Sequence, residues 1–280
     1  MKLRELMDRY FRVCICGGCG EILPYEQISS AFCPRCLLRW RAAKTENCSE
    51  CFQPAMTCSC MSKGLSASGM LTLRKSVFYR AEQRGEPQNR ILYYLKHHPN
   101  RRMAHFLAEE LLGALTEEVA VLGLQLSDEK NGEGDTNGEI AVGDSRKNFV
   151  LVGVPRSRGA RSVEGFDQAE LIADALSRMT GIDSVMAIKP KIGGKTQKKL
   201  NSAGRFRNMK NRFVLKDADA VRGKCVLLID DIVTTGASMA ACVKLLQQAG
   251  ASSVIGLCVA QNRGGAKTRK TPKKGGRRKK

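Results

Sequence analysis

The sequence predicts an α/β protein in which a parallel β-sheet carries helices on both faces and follows a small cysteine-rich module. Two observations lead to this fold class. After residue 148, short apolar segments alternate with segments of helical periodicity, which is typical of parallel strands joined by crossover helices. Nine of the twelve cysteines lie in the first 60 residues, mostly in close pairs, which is typical of a metal-binding module.

The cysteine pairs predict structural zinc. A Cys-x-x-Cys turn places two thiolates on one side of a short loop, and two such turns complete a tetrahedral Zn²⁺ shell. The spacing suits two zinc ions, or one ion and a degenerate second site, and it leaves open which pairs share a metal. Cys14 is an alternative to Cys16. The eight candidate ligands are Cys16, Cys19, Cys33, Cys36, Cys48, Cys51, Cys58 and Cys60.

Residues 1–62 are expected to form this zinc-ribbon module. Trp40 and Phe52 lie in this module and are expected to form its small core. The segment that follows, residues 62–69, is rich in Ser and Gly and is expected to be a linker.

Residues 63–262 are expected to form the α/β domain. Residues 127–148 are polar and lack periodicity, which predicts a flexible insert. Residues 263–280 contain ten Lys or Arg and no acid, which predicts a disordered basic tail. Such a tail can bind nucleic acid through phosphate neutralisation, or it can simply add solubility.

The periodicity predicts the elements of this domain in order. Pro87 is expected to open the helix over 88–97, and Gly181 is expected to end the helix that starts near residue 167. Cys225, Cys242 and Cys258 lie singly in apolar segments and are expected in the core. We expect strands over 71–79, 149–154, 185–188, 213–215, 225–229 and 253–260, and helices over 88–97, 101–122, 167–179 and 239–249.

Residues 226–238 are the most informative stretch. An apolar strand ends in Asp230 and Asp231, and a turn of small and hydroxyl residues then leads into a helix. The backbone N–H groups of such a turn and of the helix N-terminus bind phosphate. Two carboxylates beside this cradle would repel a phosphate alone, but they suit ribose hydroxyls and a hard cation. The sequence therefore predicts a site for a ribose 5-phosphate carrying Mg²⁺.

Composition limits the other function classes. The net charge is +20, and half of it lies in the last 18 residues. The sequence contains no apolar run long enough for a membrane span and no secretory apolar core near its start, so we expect a cytoplasmic protein without membrane insertion. Gly-x-Gly-x-x-Gly and Walker-type patterns are absent from the sequence, which argues against the commonest dinucleotide and nucleoside-triphosphate sites.

With the cysteine module in front, these motifs resemble the ComF (ComFC) family of competence proteins, which join a double zinc ribbon to a type I phosphoribosyltransferase-like domain. Three segments carry the resemblance, which spans about residues 14–262. Residues 152–157 and 165–169 are similar to the family's Val-Pro-x-Pro and Arg-Gly-Phe-Asn-Gln-Ala. Residues 226–238 resemble its phosphoribosyl pyrophosphate (PRPP) motif. The third segment consists of Thr196, Gln197, Leu200, Arg205, Asn208 and Phe213.

The resemblance implies a role for each segment. Asp230 and Asp231 would hold the ribose hydroxyls, directly or through Mg²⁺. The loop after the 149–154 strand, Pro155, Arg156 and Ser157, would meet the pyrophosphate. Residues 195–207 would be either a lid over the site or an ordinary basic loop. The 5-phosphate would be wrapped by Val233, Thr234, Thr235, Gly236, Ala237 and Ser238.

The sequence departs from the family pattern at two positions, and two functions remain open. Glu164 stands where the family usually has Arg, and Asp167 where it usually has Asn. One function is a Mg²⁺-dependent phosphoribosyltransferase of nucleotide metabolism whose acceptor the sequence does not identify. The other is a phosphoribosyl-binding protein that acts with single-stranded DNA in natural transformation, with a competence helicase as a possible partner.

Overall fold

The computed structural model describes residues 14–121, 145–156, 165–191 and 212–262, with the side chains of 116–121 and 145 excepted. Pro34 and Pro87 each open a helix at the first helical position, where the missing N–H of proline costs no hydrogen bond. The helices are α1 (Pro34–Lys44), α2 (Lys63–Ser66), α3 (Pro87–His97), α4 (Arg101–Val121), α5 (Gln168–Thr180) and α6 (Ala237–Gln248). The strands are β1 (Thr72–Tyr79), β2 (Phe149–Gly153), β3 (Ile188–Pro190), β4 (Phe213–Leu215), β5 (Cys225–Val233) and β6 (Ser253–Asn262).

Four strands form one parallel sheet in the order β1-β6-β5-β2. The strands β5 and β6 lie in the middle, and their apolar residues alternate between the two faces. Leu227 and Ile229 point into one core, whereas Val226 and Leu228 point into the other. Such strands need apolar residues at consecutive positions, which is the run seen in the sequence.

Helices cover both faces of the sheet, as predicted. On one face, α4 and α5 pack against each other and against the sheet through Leu107, Leu111 and Ile172. On the other face, α6 packs through Met239 and Val243. The expected core positions of Cys225, Cys242 and Cys258 are confirmed, since all three thiols are buried.

The prediction for the core of the cysteine-rich module is right for Trp40 and wrong for Phe52. Trp40 is wholly buried, and its ring lies 5.5 Å from that of Phe32 and 5.3 Å from that of Phe106 on α4. Phe52 is 75% exposed and has a positive φ of 61°. Phe32 and Phe106 cover the Trp40 ring, whereas the Phe52 ring lies in solvent.

The predicted linker at residues 62–69 packs against the α/β domain. Ser62 caps α2, and Leu65 of this short helix is wholly buried in the core under α6. The Ser and Gly residues that suggested a linker instead form a tight helical turn, which ends in Gly69 with a φ of 86°.

Several element boundaries differ from the predictions. The strand expected over 225–229 continues to Val233, because β6 pairs with it beyond the end of β2. The strand expected over 185–188 is instead β3, which pairs antiparallel with β4 in a separate two-stranded sheet. The last residues of the expected insert, Ser145–Asn148, form a 3-10 turn that leads into β2.

Among the helices that the structure describes, none combines the length and apolar character that a bilayer crossing requires.

Candidate functional site

The loop between β5 and α6, residues 234–236, lies with the first turn of α6 at the carboxyl end of the parallel sheet. Gly236 caps α6 with a φ of 73°, and the first helical turn begins at the next residue. The Thr235 hydroxyl accepts a hydrogen bond from the Ala237 N–H at 3.4 Å. Thr234 is exposed, and Thr235 and Ser238 are half-buried. A helix N-terminus flanked by hydroxyl side chains is suited to an anion.

Two carboxylates lie on β5 just before this loop. The Asp231 N–H donates to Asp230 Oδ1 at 2.9 Å, and the Ile232 N–H donates to Asp231 Oδ1 at 2.7 Å. Burial and the neighbouring Asp231 carboxylate raise the pKa of Asp230 well above its ordinary value. A cation or hydroxyl donors bound between these acids would offset that repulsion.

The loop after β2 is held beside the same acids. The Val154 N–H donates to the Ile229 carbonyl at 2.8 Å, immediately before Asp230. Pro155 and Arg156 follow, and Arg156 directs its backbone N–H to Asp167 and its guanidinium to the Lys96 carbonyl, at 2.7 and 3.2 Å.

Asp167 fixes this loop to the start of α5. Its side chain is 2% exposed, and each oxygen accepts a backbone N–H: Oδ2 from Arg156 at 2.7 Å and Oδ1 from Ala169 at 3.1 Å. Burial raises the pKa of Asp167 to about 6, although these two hydrogen bonds act to lower it. These two N–H groups meet different oxygens, and in an Asn one of the two positions would be an NH2 group, which cannot accept. The sequence identified Asp167 as a departure from the family pattern, but it did not identify this capping role.

The eight predicted cysteines form two clusters. The first cysteine cluster combines the first two pairs and the second cluster combines the last two, and within each cluster the sulfurs lie within 4.8 Å of one another. Cys14 belongs to neither. The first cluster is Cys16, Cys19, Cys33 and Cys36, and the second is Cys48, Cys51, Cys58 and Cys60.

Both clusters fit a tetrahedral metal ion. With Zn–S bonds of about 2.3 Å, a tetrahedron places its sulfurs about 3.8 Å apart. The Cys19 and Cys33 sulfurs are 3.8 Å apart, and those of Cys51 and Cys58 are 3.6 Å apart. The donor set is therefore of the right size and softness for zinc.

Backbone N–H groups prepare one thiol of each cluster to ionise. Burial acts to raise the pKa of Cys16, but hydrogen bonds from backbone N–H groups, including those of Cys33 and Gly18 at 3.2 and 3.4 Å, lower it to about 7. Burial likewise opposes ionisation of Cys48, and backbone N–H groups near its sulfur lower its pKa to about 6. Thiolates are the form that binds metal.

The two clusters contact different parts of the α/β domain. Arg102 on α4 holds the first cluster's module through the carbonyls of Ile15, Ile28 and Ser30. The second cluster lies against β1, where the wholly buried Lys75 donates from Nζ to the Cys60 carbonyl at 2.7 Å and approaches Cys58 Sγ at 3.5 Å.

An aromatic patch at the end of α3 had no predicted role. It comprises Tyr93, Tyr94, Lys96, His97 and His98. The Tyr93 and His97 rings are 4.8 Å apart, and those of Tyr94 and His98 are 4.6 Å apart. Tyr93 is 69% exposed, and the Lys96 carbonyl accepts the Arg156 guanidinium. The signal in the sequence was the spacing of four between each tyrosine and its histidine.

The structure thus brings the two acids, the β5–α6 loop and Pro155-Arg156 to one edge of the sheet. Ser157, Glu164, residues 195–207 and the basic tail lie outside the described residues.

Comparisons with known proteins agree with this architecture. A family model described as the phosphoribosyl transferase domain matches residues 139–279, about half of the chain. Over 233 residues the chain is 26% identical to DNA utilization protein YhgH of Escherichia coli O6:H1, which covers 80% of this chain and 88% of that protein.

A second relative and one solved structure match smaller parts of the chain. Over 115 residues the chain is 28% identical to Competence protein ComFC of Bacillus subtilis, which covers 39% of this chain and 42% of that protein. The solved allosteric regulatory enzyme of purine biosynthesis is 23% identical with a TM-score of 0.29, and the match covers 41% of this chain and 25% of the enzyme. Because that TM-score is low, the fold assignment rests on the sheet topology and the domain match.

Proposed function

The chain belongs to the phosphoribosyl transferase domain family and is ComF-like, and on this premise we propose that it binds a phosphoribosyl group, as Mg²⁺–PRPP, at the carboxyl end of β5. The observation that carries the proposal is the position of Asp230 and Asp231 directly before the β5–α6 loop. An anion cradle next to two carboxylates suits a ligand that carries phosphate at one end and hydroxyls with a cation at the other.

Each element of the site then has a chemical task. The 5-phosphate accepts hydrogen bonds from the N–H groups at the start of α6 and from the hydroxyls of Thr234, Thr235 and Ser238. The carboxylates of Asp230 and Asp231 accept hydrogen bonds from the ribose hydroxyls or from cation-bound water. When bound, Mg²⁺ supplies neutralising charge for the pyrophosphate.

The loop after β2 faces the pyrophosphate in this proposal. Asp167 accepts the backbone N–H of Arg156, which holds Arg156 in place before the ligand arrives. Preorganisation of this kind lowers the cost of binding. Ser157, the next residue, belongs to the same proposed contact.

The same site can serve catalysis or binding alone. In a transfer reaction, a nucleophilic acceptor forms a bond to the anomeric carbon while the bond to the pyrophosphate oxygen breaks, and pyrophosphate leaves with that electron pair. The residues above would hold the two phosphate ends and the ribose, which fixes the anomeric carbon for attack. A binding protein would use the same contacts without an acceptor.

The direct test replaces both acids, Asp230→Asn with Asp231→Asn. Each lost charge-assisted hydrogen bond costs about 1.5–3 kcal/mol, so the pair should weaken Mg²⁺–PRPP binding by more than about 100-fold. The fold should survive, because burial and the Asp231 carboxylate raise the pKa of Asp230, and a neutral amide removes that repulsion between the two side chains. Asp183→Asn with Asp219→Asn makes the same charge change at two exposed acids and serves as the matched control. Unchanged affinity in the first variant would remove the proposed site.

We further propose that each cysteine cluster holds one structural Zn²⁺. Four thiolates complete a tetrahedral shell and leave no open coordination position for catalysis. Zinc-bound thiolates are favoured over disulfides in a reducing compartment, and we propose the cytoplasm as the location.

A second candidate function, contact with single-stranded DNA, is favoured by the aromatic patch. The exposed Tyr93 ring would stack on an unpaired base, and Lys96 with Arg156 would contact the backbone phosphates. The names of the relatives, a DNA utilization protein and a competence protein, point the same way. Because the patch adjoins Arg156, a strand lying on it would pass the edge of the phosphoribosyl site.

A further inference from the structure

The segment that joins the second cysteine cluster to β1, residues 61–71, lies behind the β5–α6 loop. Ser62 donates its hydroxyl hydrogen to the Thr235 carbonyl at 3.0 Å, and its Oγ accepts the Leu65 N–H at 3.4 Å. The hydroxyl therefore caps α2 and binds the loop at once. The two partners are 173 positions apart in the sequence, so only the fold brings them together.

The packing behind this hydrogen bond is close. A Cβ placed on Gly236 would lie 3.2 Å from Ser62 Oγ and 3.3 Å from Leu65 Cβ. Leu65 is wholly buried. The connecting segment thus supports the rear of the loop, while the front faces the proposed ligand.

The other end of the connecting segment is fixed by the second cluster. Cys60 lies two positions before Ser62, and its carbonyl accepts the buried Lys75 ammonium. Arg74 donates to the Thr57 carbonyl at 2.6 Å. A buried ammonium needs nearby negative charge, and a metal shell of four thiolates supplies it. The cluster, Lys75 and Ser62 therefore form one connected path to the loop.

The first cluster follows a different path. Its module contacts α4 through Arg102 and Phe106, and Gly17 packs near Ile91 of α3. These contacts lie on the face of the sheet covered by α4, whereas the connecting segment packs on the face covered by α6. Loss of the first cluster therefore serves as a control for loss of the second cluster in the same protein.

We propose that Ser62 is a positioning residue for the β5–α6 loop, and that the metal-loaded second cluster holds Ser62 in place. The affinity of this site for its phosphate ligand is then coupled to the second cluster and not to the first. The inference rests on the proposed function for its ligand but not for its geometry.

The first test uses Ser62→Ala, with Ser62→Thr as the conservative rescue and the exposed Ser66→Ala on the same helix as the control. The readouts are PRPP affinity with Mg²⁺ by calorimetry, zinc content per chain, and amide hydrogen exchange of the loop in the ligand-free protein. Ser62→Ala should keep its zinc, bind PRPP about 3- to 10-fold more weakly, as expected for one lost hydrogen bond, and exchange its loop amides faster. Ser62→Thr and Ser66→Ala should behave like the wild type.

The second test compares Cys58→Ser with Cys19→Ser, one variant for each cluster. Both should lose one zinc per chain, but only Cys58→Ser should weaken PRPP binding and speed exchange of the loop amides. If Cys58→Ser fails to fold, Ser62→Ala still decides whether Ser62 positions the loop.

The outcomes separate this inference from the proposed function. Wild-type loop exchange in Ser62→Ala would overturn the positioning role, whatever the ligand. Faster loop exchange without any PRPP binding by the wild type would keep the positioning role and reject PRPP as the ligand. Equal loss of binding in Cys58→Ser and Cys19→Ser, with both folded, would overturn the special role of the second cluster.

Discussion

Alanine at Gly236 should damage the β5–α6 loop through two separable effects. Gly236 has a φ of 73°, a left-handed conformation that costs a residue with a Cβ about 1–2 kcal/mol. The new methyl group would also lie 3.2 Å from Ser62 Oγ and 3.3 Å from Leu65 Cβ, closer than ordinary van der Waals contact. Overpacking of this kind costs about 1–3 kcal/mol more.

Gly223 provides a matched control. It has the same φ of 73°, and a Cβ there would meet no heavy atom within 4 Å. It lies before the start of β5, at the opposite end of that strand from the two acids. Gly223→Ala should therefore lower the free energy of unfolding by only the conformational cost, about 1–2 kcal/mol. Gly236→Ala should lower it by about 2–5 kcal/mol, the sum of both costs.

Urea denaturation followed by circular dichroism measures both losses, and calorimetry measures PRPP affinity. Only Gly236→Ala should weaken binding, by at least about tenfold, because only it moves the loop away from Ser62. Equal stability losses in the two variants would show that the loop is not closely supported from behind. Unchanged PRPP affinity in Gly236→Ala would refute the loop as the phosphate contact.

Three further predictions concern pH and DNA. The pKa of Asp167 is raised to about 6 in the folded protein from 3.8, so the stability that its protonated form contributes is present below about pH 4 and is lost as the pH rises to about 6. Relative to Asp167→Asn, the wild type should therefore lose up to about 3 kcal/mol of unfolding free energy between those pH values. Urea denaturation across this pH range measures the loss. The same pH dependence in the wild type and in Asp167→Asn would contradict the burial of the carboxyl. Deletion of the tail after Gln261 should weaken single-stranded DNA binding and flatten its dependence on salt, and an unchanged salt slope would show that the tail is not a contact. Tyr93→Ala should cost about 1–3 kcal/mol of DNA binding whereas Tyr25→Ala should not, and equal affinities in filter binding would remove the aromatic patch from the interface.

Local patterns were enough to predict most of the fold. The strands β1, β2, β5 and β6 and the helices α3 to α6 follow from apolar runs, helical spacing and the Pro and Gly residues at their ends. The end of β5 was missed, because it depends on how far β6 continues beside it and not on the residues of β5. Residues 62–69 were misjudged for a similar reason, since only the position of α6 shows that Leu65 has a core to enter.

The candidate site was predictable in its parts and less so in its connections. The eight cysteines were identified by spacing, but their division into two clusters depends on which loops meet in space, such as the contact of Cys33 N–H with Cys16 Sγ. The carboxylates and the loop were identified from one motif. The support that Ser62 and Asp167 give to the site was not identified. Ser62 binds the carbonyl of Thr235, which is distant in the sequence, and Asp167 binds the N–H of Arg156 in another loop.

Calorimetric titration of PRPP into the zinc-loaded protein, with and without Mg²⁺, tests the central claim most directly. We predict saturable binding that requires Mg²⁺ and is lost when Asp230 and Asp231 are both Asn. Absence of any binding heat across a range of temperatures, in a folded protein that carries two zinc ions per chain, would contradict it.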